Sequence, residues 1–135
     1  NIDKIMANAK AQKYLQKEVE IFQKLQKDFQ KLLNGRQQLD IQYNENKIVK
    51  DELDLLEEEA NVFKLVGPVL VKQDLSESKL NVQKRIDYIQ AELARHDKSI
   101  KEIQEKQEEK KEALMKLQQE MQIAMQNHSN HSDKV

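Results

Sequence analysis

Cysteine and tryptophan are absent from this sequence, proline occurs once, at Pro68, and glycine only twice, at Gly35 and Gly67. Without cysteine there are no disulfides and no thiolate metal sites, which fits a reducing compartment. With so little glycine and proline, turn chemistry is confined to two places, whereas a compact domain of 135 residues needs many turns. Neither charge sign dominates: 23 basic and 24 acidic residues leave a net charge of −1, interspersed along most of the chain. No basic stripe exists to track phosphates, so nucleic-acid binding is not expected. No apolar run approaches the ~18 residues that span a bilayer, and Asn1-Ile2-Asp3-Lys4-Ile5 lacks a signal-peptide core, so no membrane role is expected either. Neither glycine has the spacing of a phosphate-cradling loop, which argues against ATP-driven work. No nucleophile–base constellation can be drawn, so no catalytic, cofactor or metal site is expected and the chain does not read as an enzyme.

What remains is mostly Lys, Glu, Gln, Leu, Asp and Ile, with 38% apolar and 35% charged residues, a mixture suited to long helices. From Leu15 to Ala60 a seven-residue repeat runs without a break, with a positions Leu15, Phe22, Phe29, Arg36, Tyr43, Lys50 and Glu57 and d positions Glu18, Leu25, Leu32, Leu39, Asn46, Leu53 and Ala60. Nine of these fourteen are apolar, where composition alone gives about five. A second frame runs from Lys79 to Ala124, with a at Lys79, Ile86, Leu93, Ile100, Gln107, Leu114 and Met121 and d at Val82, Ile89, His96, Ile103, Lys110, Leu117 and Ala124, ten of fourteen apolar. Such spacing over six heptads in each half predicts two coiled-coil helices. Beyond Leu39 the first apolar seam is expected to drift to Val49, Leu56 and Phe63 at g, relaxing the supercoil.

Between the frames lies Asn61-Val62-Phe63-Lys64-Leu65-Val66-Gly67-Pro68-Val69-Leu70-Val71-Lys72-Gln73, the only stretch rich in β-branched and aromatic residues. Gly67-Pro68 divides it into two predicted strands, 62–66 and 69–72, because glycine permits unusual dihedrals and proline removes a ladder donor. Asp74 then reads as an N-cap, with Glu77 three residues on as in a capping box. The expected domain organisation is a helix over about 8–60, a hairpin over 61–73 and a helix over 74–126. A polar tail over 127–135 is expected to be disordered, and residues 1–5 are expected to be a remnant ahead of a native start at Met6. The fold class is thus mainly α: a long antiparallel two-helix coiled coil with a single β-hairpin between the helices.

A three-helix bundle broken at Asn34-Gly35 is the competing topology. It fails on length, since at ~1.5 Å per residue the second half makes a helix of roughly 75–80 Å, against about 35–40 Å for each piece of the first. Charge supports the antiparallel pair. Asp51–Glu59 carries six acids where a helix should end, and Lys79, Lys84 and Arg85 lie where the next one starts, so each end complements the other. Pairing a with d about a hairpin near residue 67 allows residue sums of 132 or 139, placing either Arg36 or Tyr43 opposite His96, and the pattern does not choose between them.

Two features rise above a plain coiled coil. The hairpin is apolar on both faces, with Val62, Phe63, Leu65, Val66, Val69, Leu70 and Val71 around the Gly67-Pro68 turn. Two helices cannot cover both faces and both edges, so it is expected to complete a sheet with other chains. The helix ends farthest from it carry Met6, Tyr14, Leu15, Met121, Ile123 and Met125, with Met115 close by; methionine-rich surfaces of this kind suit adaptable binding. His96 reads as a seam residue, and His128 and His131 as tail residues with at most adventitious metal binding.

The hairpin segment Val62–Leu75, followed by Lys84-Arg85-Ile86-Asp87-Tyr88-Ile89-Gln90-Ala91-Glu92-Leu93, resembles the signature of β-type prefoldin subunits. The resemblance is specific over about 60–95 and fits in layout over about 6–125. It implies membership of a hexamer of α-type and β-type subunits, whose hairpins build a double β-barrel body carrying six coiled coils. It further implies a cytoplasmic chaperone that holds unfolded clients such as actin and tubulin at its tips and passes them, without ATP, to the cytosolic chaperonin. A single hairpin fits the β-type. A passive scaffold or tethering rod is the alternative: it accounts for the heptads but not for the apolar strands between them. A helical arm of an enzyme would need a catalytic domain not found in this sequence.

Overall fold

A computed structural model describes residues 2–133, without the side chains of residues 4, 5 and 128–133. Its order is helix α1 (Ile2–Asp54), strand β1 (Val62–Val66), strand β2 (Val69–Gln73) and helix α2 (Leu75–Asp133). Gly35 lies inside α1, so the three-helix alternative is excluded.

The chain forms two compact units: Asn1–Lys31 with Ile100–Val135, and Leu32–Ser99. In both, burial follows the heptads. Every a and d position of the two frames is at least partly shielded except Glu57 and Ala124. The tightest packing is in the unit holding the hairpin, where Leu53, Leu75, Val82 and Ile86 form a cluster joined by Tyr43 and Val62. Ile89 is buried one turn beyond Ile86.

The expected drift of the seam does not occur. Val49, Leu56 and Phe63 are exposed, while Tyr43, Asn46, Lys50 and Leu53 at a and d are the shielded residues. Several polar a and d residues find partners for their polar atoms: the Asn46 amide, for example, donates to the Gln42 carbonyl at 2.7 Å.

Helix α1 stops at Asp54, six residues short of the expected 60. The Leu55 and Leu56 amides bond three residues back, to Glu52 and Leu53, and the Ala60 amide bonds to Glu57. Carboxylates at Asp51, Glu52, Asp54 and Glu57–Glu59 oppose the negative end of the helix, so the chain tightens and leaves it early. Helix α2 starts after Asp74 as expected: the Asp74 carbonyl accepts the Ser78 amide at 2.9 Å, and the Ser76 hydroxyl donates to the Asp74 carboxylate at 2.7 Å. Helix α2 runs past 126 through Asp133, and α1 begins at Ile2 rather than near 8. Extending an existing helix adds one backbone hydrogen bond per residue fixed, so weak helix formers at an end are tolerated.

Both units take the same register. In the hairpin unit, Arg36 pairs with Asp97 and Gln90 donates to the Tyr43 hydroxyl at 3.4 Å. The imidazole of His96 lies over Gly35. These contacts place Arg36, not Tyr43, beside His96, the residue sum of 132. In the other unit Tyr14 and Glu18 line a groove with Leu114 and Leu117, which fits the same sum.

Candidate functional site

Strands β1 and β2 form an antiparallel two-stranded sheet, and among the described residues no further strand pairs with either edge. The turn is dictated by its two central residues. Gly67 has φ +57°, which other residues rarely adopt, and Pro68 cannot have positive φ. Glycine first and proline second is the pattern of a type II′ turn, whose twist matches that of paired strands. It closes on Val66 opposite Val69 and sets the register Leu65–Leu70, Lys64–Val71, Phe63–Lys72 and Val62–Gln73.

Because partners across a ladder share a face, Phe63, Leu65, Leu70 and Lys72 line one side, and Val62, Lys64, Val66, Val69, Val71 and Gln73 line the other. Val62, at the base, packs against the helix cluster of Leu53, Leu75, Val82 and Ile86. Leu65 and Leu70 are 67% and 66% exposed, and Phe63, Val66, Val69 and Val71 are also open to water. Among the described residues the ribbon therefore presents two unpaired edges and two apolar faces, an arrangement that accepts further strands by β-augmentation.

The helix ends differ residue by residue. Met6, Tyr14, Ile123 and Met125 are exposed, Met125 by 71%, whereas Leu15 and Met121 are half-buried in the seam. Met115, expected beside them, is also exposed. Its b position in the second heptad frame keeps it off the seam. Tyr14 borders a groove of about 230 Å³ shared with Glu18, Leu114 and Leu117. His128 and His131 have side chains outside the described residues, and the described residues hold no cluster suited to a metal ion.

Charges in the seams pair rather than react. Glu18 and Lys110, the two charged d residues of the unit formed by the chain ends, meet at 2.7 Å with Glu18 only 9% exposed. That hydrogen bond holds the Lys110 ammonium above its ordinary pKa. Arg36 bridges Asp97 on the facing helix and Asp40 on its own. Its hydrogen bond to Asp97 is the main reason the guanidinium is raised and the Asp97 carboxyl lowered. The expected match between the acidic end of α1 and the basic start of α2 is limited to Lys79–Asp54 at 3.9 Å; Lys84 and Arg85 form no ion pair among the described residues.

A family model described as "Prefoldin subunit" matches residues 16–121, spanning both helices and the hairpin. The chain belongs to the prefoldin subunit family. Relatives named Prefoldin subunit 6 include one from Canis lupus familiaris, 49% identical across 92% of this chain and 96% of that protein. The Homo sapiens relative is 51% identical across 84% and 88%, and that of Arabidopsis thaliana 52% across 73% and 77%. The fold matches the crystal structure of the prefoldin beta subunit from Thermococcus strain KS-1 with a TM-score of 0.72, over 76% of this chain and 90% of that one at 21% identity. Prefoldin subunits are chaperone components rather than enzymes and work in hetero-oligomers with other prefoldin subunits. No helix among the described residues is long and apolar enough to cross a membrane.

Proposed function

We propose that this chain is a β-type subunit of a hexameric, ATP-independent holdase of the cytoplasm. Its hairpin, Val62–Val71 about the Gly67-Pro68 turn, joins strands of neighbouring subunits. Its helix ends, with Met6, Tyr14, Leu15, Met121, Ile123 and Met125, hold unfolded clients of the actin and tubulin kind for delivery to the cytosolic chaperonin. The observation that carries the reading is the hairpin, whose apolar residues beyond Val62 are left exposed to water by their own chain. An isolated two-stranded sheet is marginal in water, and open apolar edges invite aggregation, so such a ribbon is sustained by being finished within an assembly.

The client role is supported by the exposed methionines and Tyr14 in the unit made from both chain ends. Methionine side chains adapt to varied apolar surfaces. Several weak contacts on linked subunits add through effective concentration, so a client is held firmly yet released once another chaperone competes. In the reconstituted hetero-oligomer, removing residues 1–15 and 118–135 is expected to leave assembly intact and abolish suppression of client aggregation. Undiminished suppression by that truncation rejects the client role.

A further inference from the structure

An apolar row runs along the outside of α1 toward the hairpin and has no role in either the seam or the ribbon. Ile41, Ile48 and Leu55 recur every seven residues at f and are exposed, Ile48 by 58% and Leu55 by 85%. Two helical turns, about 10 Å, separate Ile41 from Ile48, and Leu55 follows one residue past the end of α1, held in the closing turn by its amide bond to Glu52. Acids border the row. Glu45 and Glu52 lie one turn from it on one side and Asp51 on the other, and none of the three pairs with a cation among the described residues. Asp51 and Glu52 also lie in the last turn of α1, where carboxylates oppose the helix dipole.

We propose that this face is a second docking surface, occupied in the assembly by an amphipathic helix of an adjoining prefoldin subunit whose own apolar row is bordered by Lys or Arg. The charge pattern selects the partner: a basic border neutralises acids that α1 otherwise holds at its own expense, and an apolar row fills the line between them. A second copy of this chain would set the same acids against each other, so an isologous pairing is disfavoured. The position selects a neighbour over a client. The row ends seven residues before Val62, in the same compact unit as the hairpin, where, on the assembly reading proposed above, subunits joined strand to strand stand beside one another. A surface edged by one sign of charge also discriminates, which suits a fixed partner and not varied clients.

The test is a photo-crosslinker placed at position 48 in the reconstituted hetero-oligomer, with adducts mapped by mass spectrometry, alongside assembly measurements on variants. An adduct on a Lys- or Arg-bordered helix of another subunit is expected. Ile48→Glu and the pair Glu45→Lys/Glu52→Lys are expected to weaken incorporation at least tenfold, Ile48→Leu to leave it unchanged, and all of them to leave helicity intact. Leu65→Glu/Leu70→Glu in the hairpin is expected to abolish assembly altogether, so failure of the hairpin reading is seen separately. Normal incorporation of Ile48→Glu without an adduct, or an adduct confined to client, chaperonin or a second copy, overturns the proposal.

Discussion

Gly35→Ala isolates the contact that sets the register. A glycine inside a helix costs about 1 kcal/mol relative to alanine, and on propensity alone the substitution stabilises the chain by that amount. A Cβ at this position, however, would sit 3.0 Å from His96 Nε2 and 3.5 Å from its Cδ2. The first distance is inside ordinary contact, so the ring must retreat by a few tenths of an ångström. It is not free to do so, because His96 Nδ1 is bonded to the Glu92 carbonyl at 3.0 Å. Loosening that bond costs about 0.5–1.5 kcal/mol, comparable to the propensity gain. The two effects cancel, and Gly35→Ala alone is expected to change stability by less than about 0.5 kcal/mol. Once His96 is shortened to alanine the obstruction is gone and the full gain of about 1 kcal/mol returns. The four proteins form a double-mutant cycle with a coupling of about 1 kcal/mol, read from urea unfolding followed by helical circular dichroism at constant m-value. Equal gains from Gly35→Ala with and without His96 refute the reasoning, and with it the residue sum of 132, since the sum of 139 sets Tyr43 against His96.

Asp97 makes stability depend on acid. Its folded pKa is depressed by Arg36, so its contribution is present above the ordinary aspartate value of about 3.9 and is lost as pH falls through the lower folded value. Asp97→Asn should flatten that part of the urea-midpoint profile below about pH 4 relative to the parent chain; superimposable profiles contradict the assignment. Gly67→Ala forces an L side chain into positive φ where, among the described residues, nothing beyond its chain neighbours lies within 4 Å of its Cβ, so the penalty is backbone strain of about 1–2 kcal/mol. Asparagine tolerates this region better, and hydrogen exchange of the strand amides should rank Gly above Asn above Ala. Equal protection in the three disproves the turn geometry.

The two helices, the hairpin and its turn were all legible from residue order. Heptads and a Gly-Pro break are local periodic signals, and the packing they produce repeats every turn, so Leu53, Val82, Ile86 and Ile89 fall where the frame puts them. The end of α1 was legible only in part. The acids at Asp51–Glu59 were visible, but their effect on the final turn competes with heptad continuation, and the closing bonds at Leu55 and Leu56 record which won.

Sequence alone determined that this chain is two helices around an apolar ribbon, because hydrophobic period and turn chemistry act over a few residues at a time. Only tertiary structure decided the register, because sums of 132 and 139 bury nearly equal apolar seams and differ in contacts between residues some sixty positions apart. Arg36–Asp97 is one such contact, and His96 over Gly35 is another. Tertiary structure likewise decided which apolar residues stay in water. Val49 and Leu56 were expected in the seam and lie outside it, Ile48 is open to solvent because the facing helix covers a single stripe of α1, and Leu55 is open in the turn that follows α1.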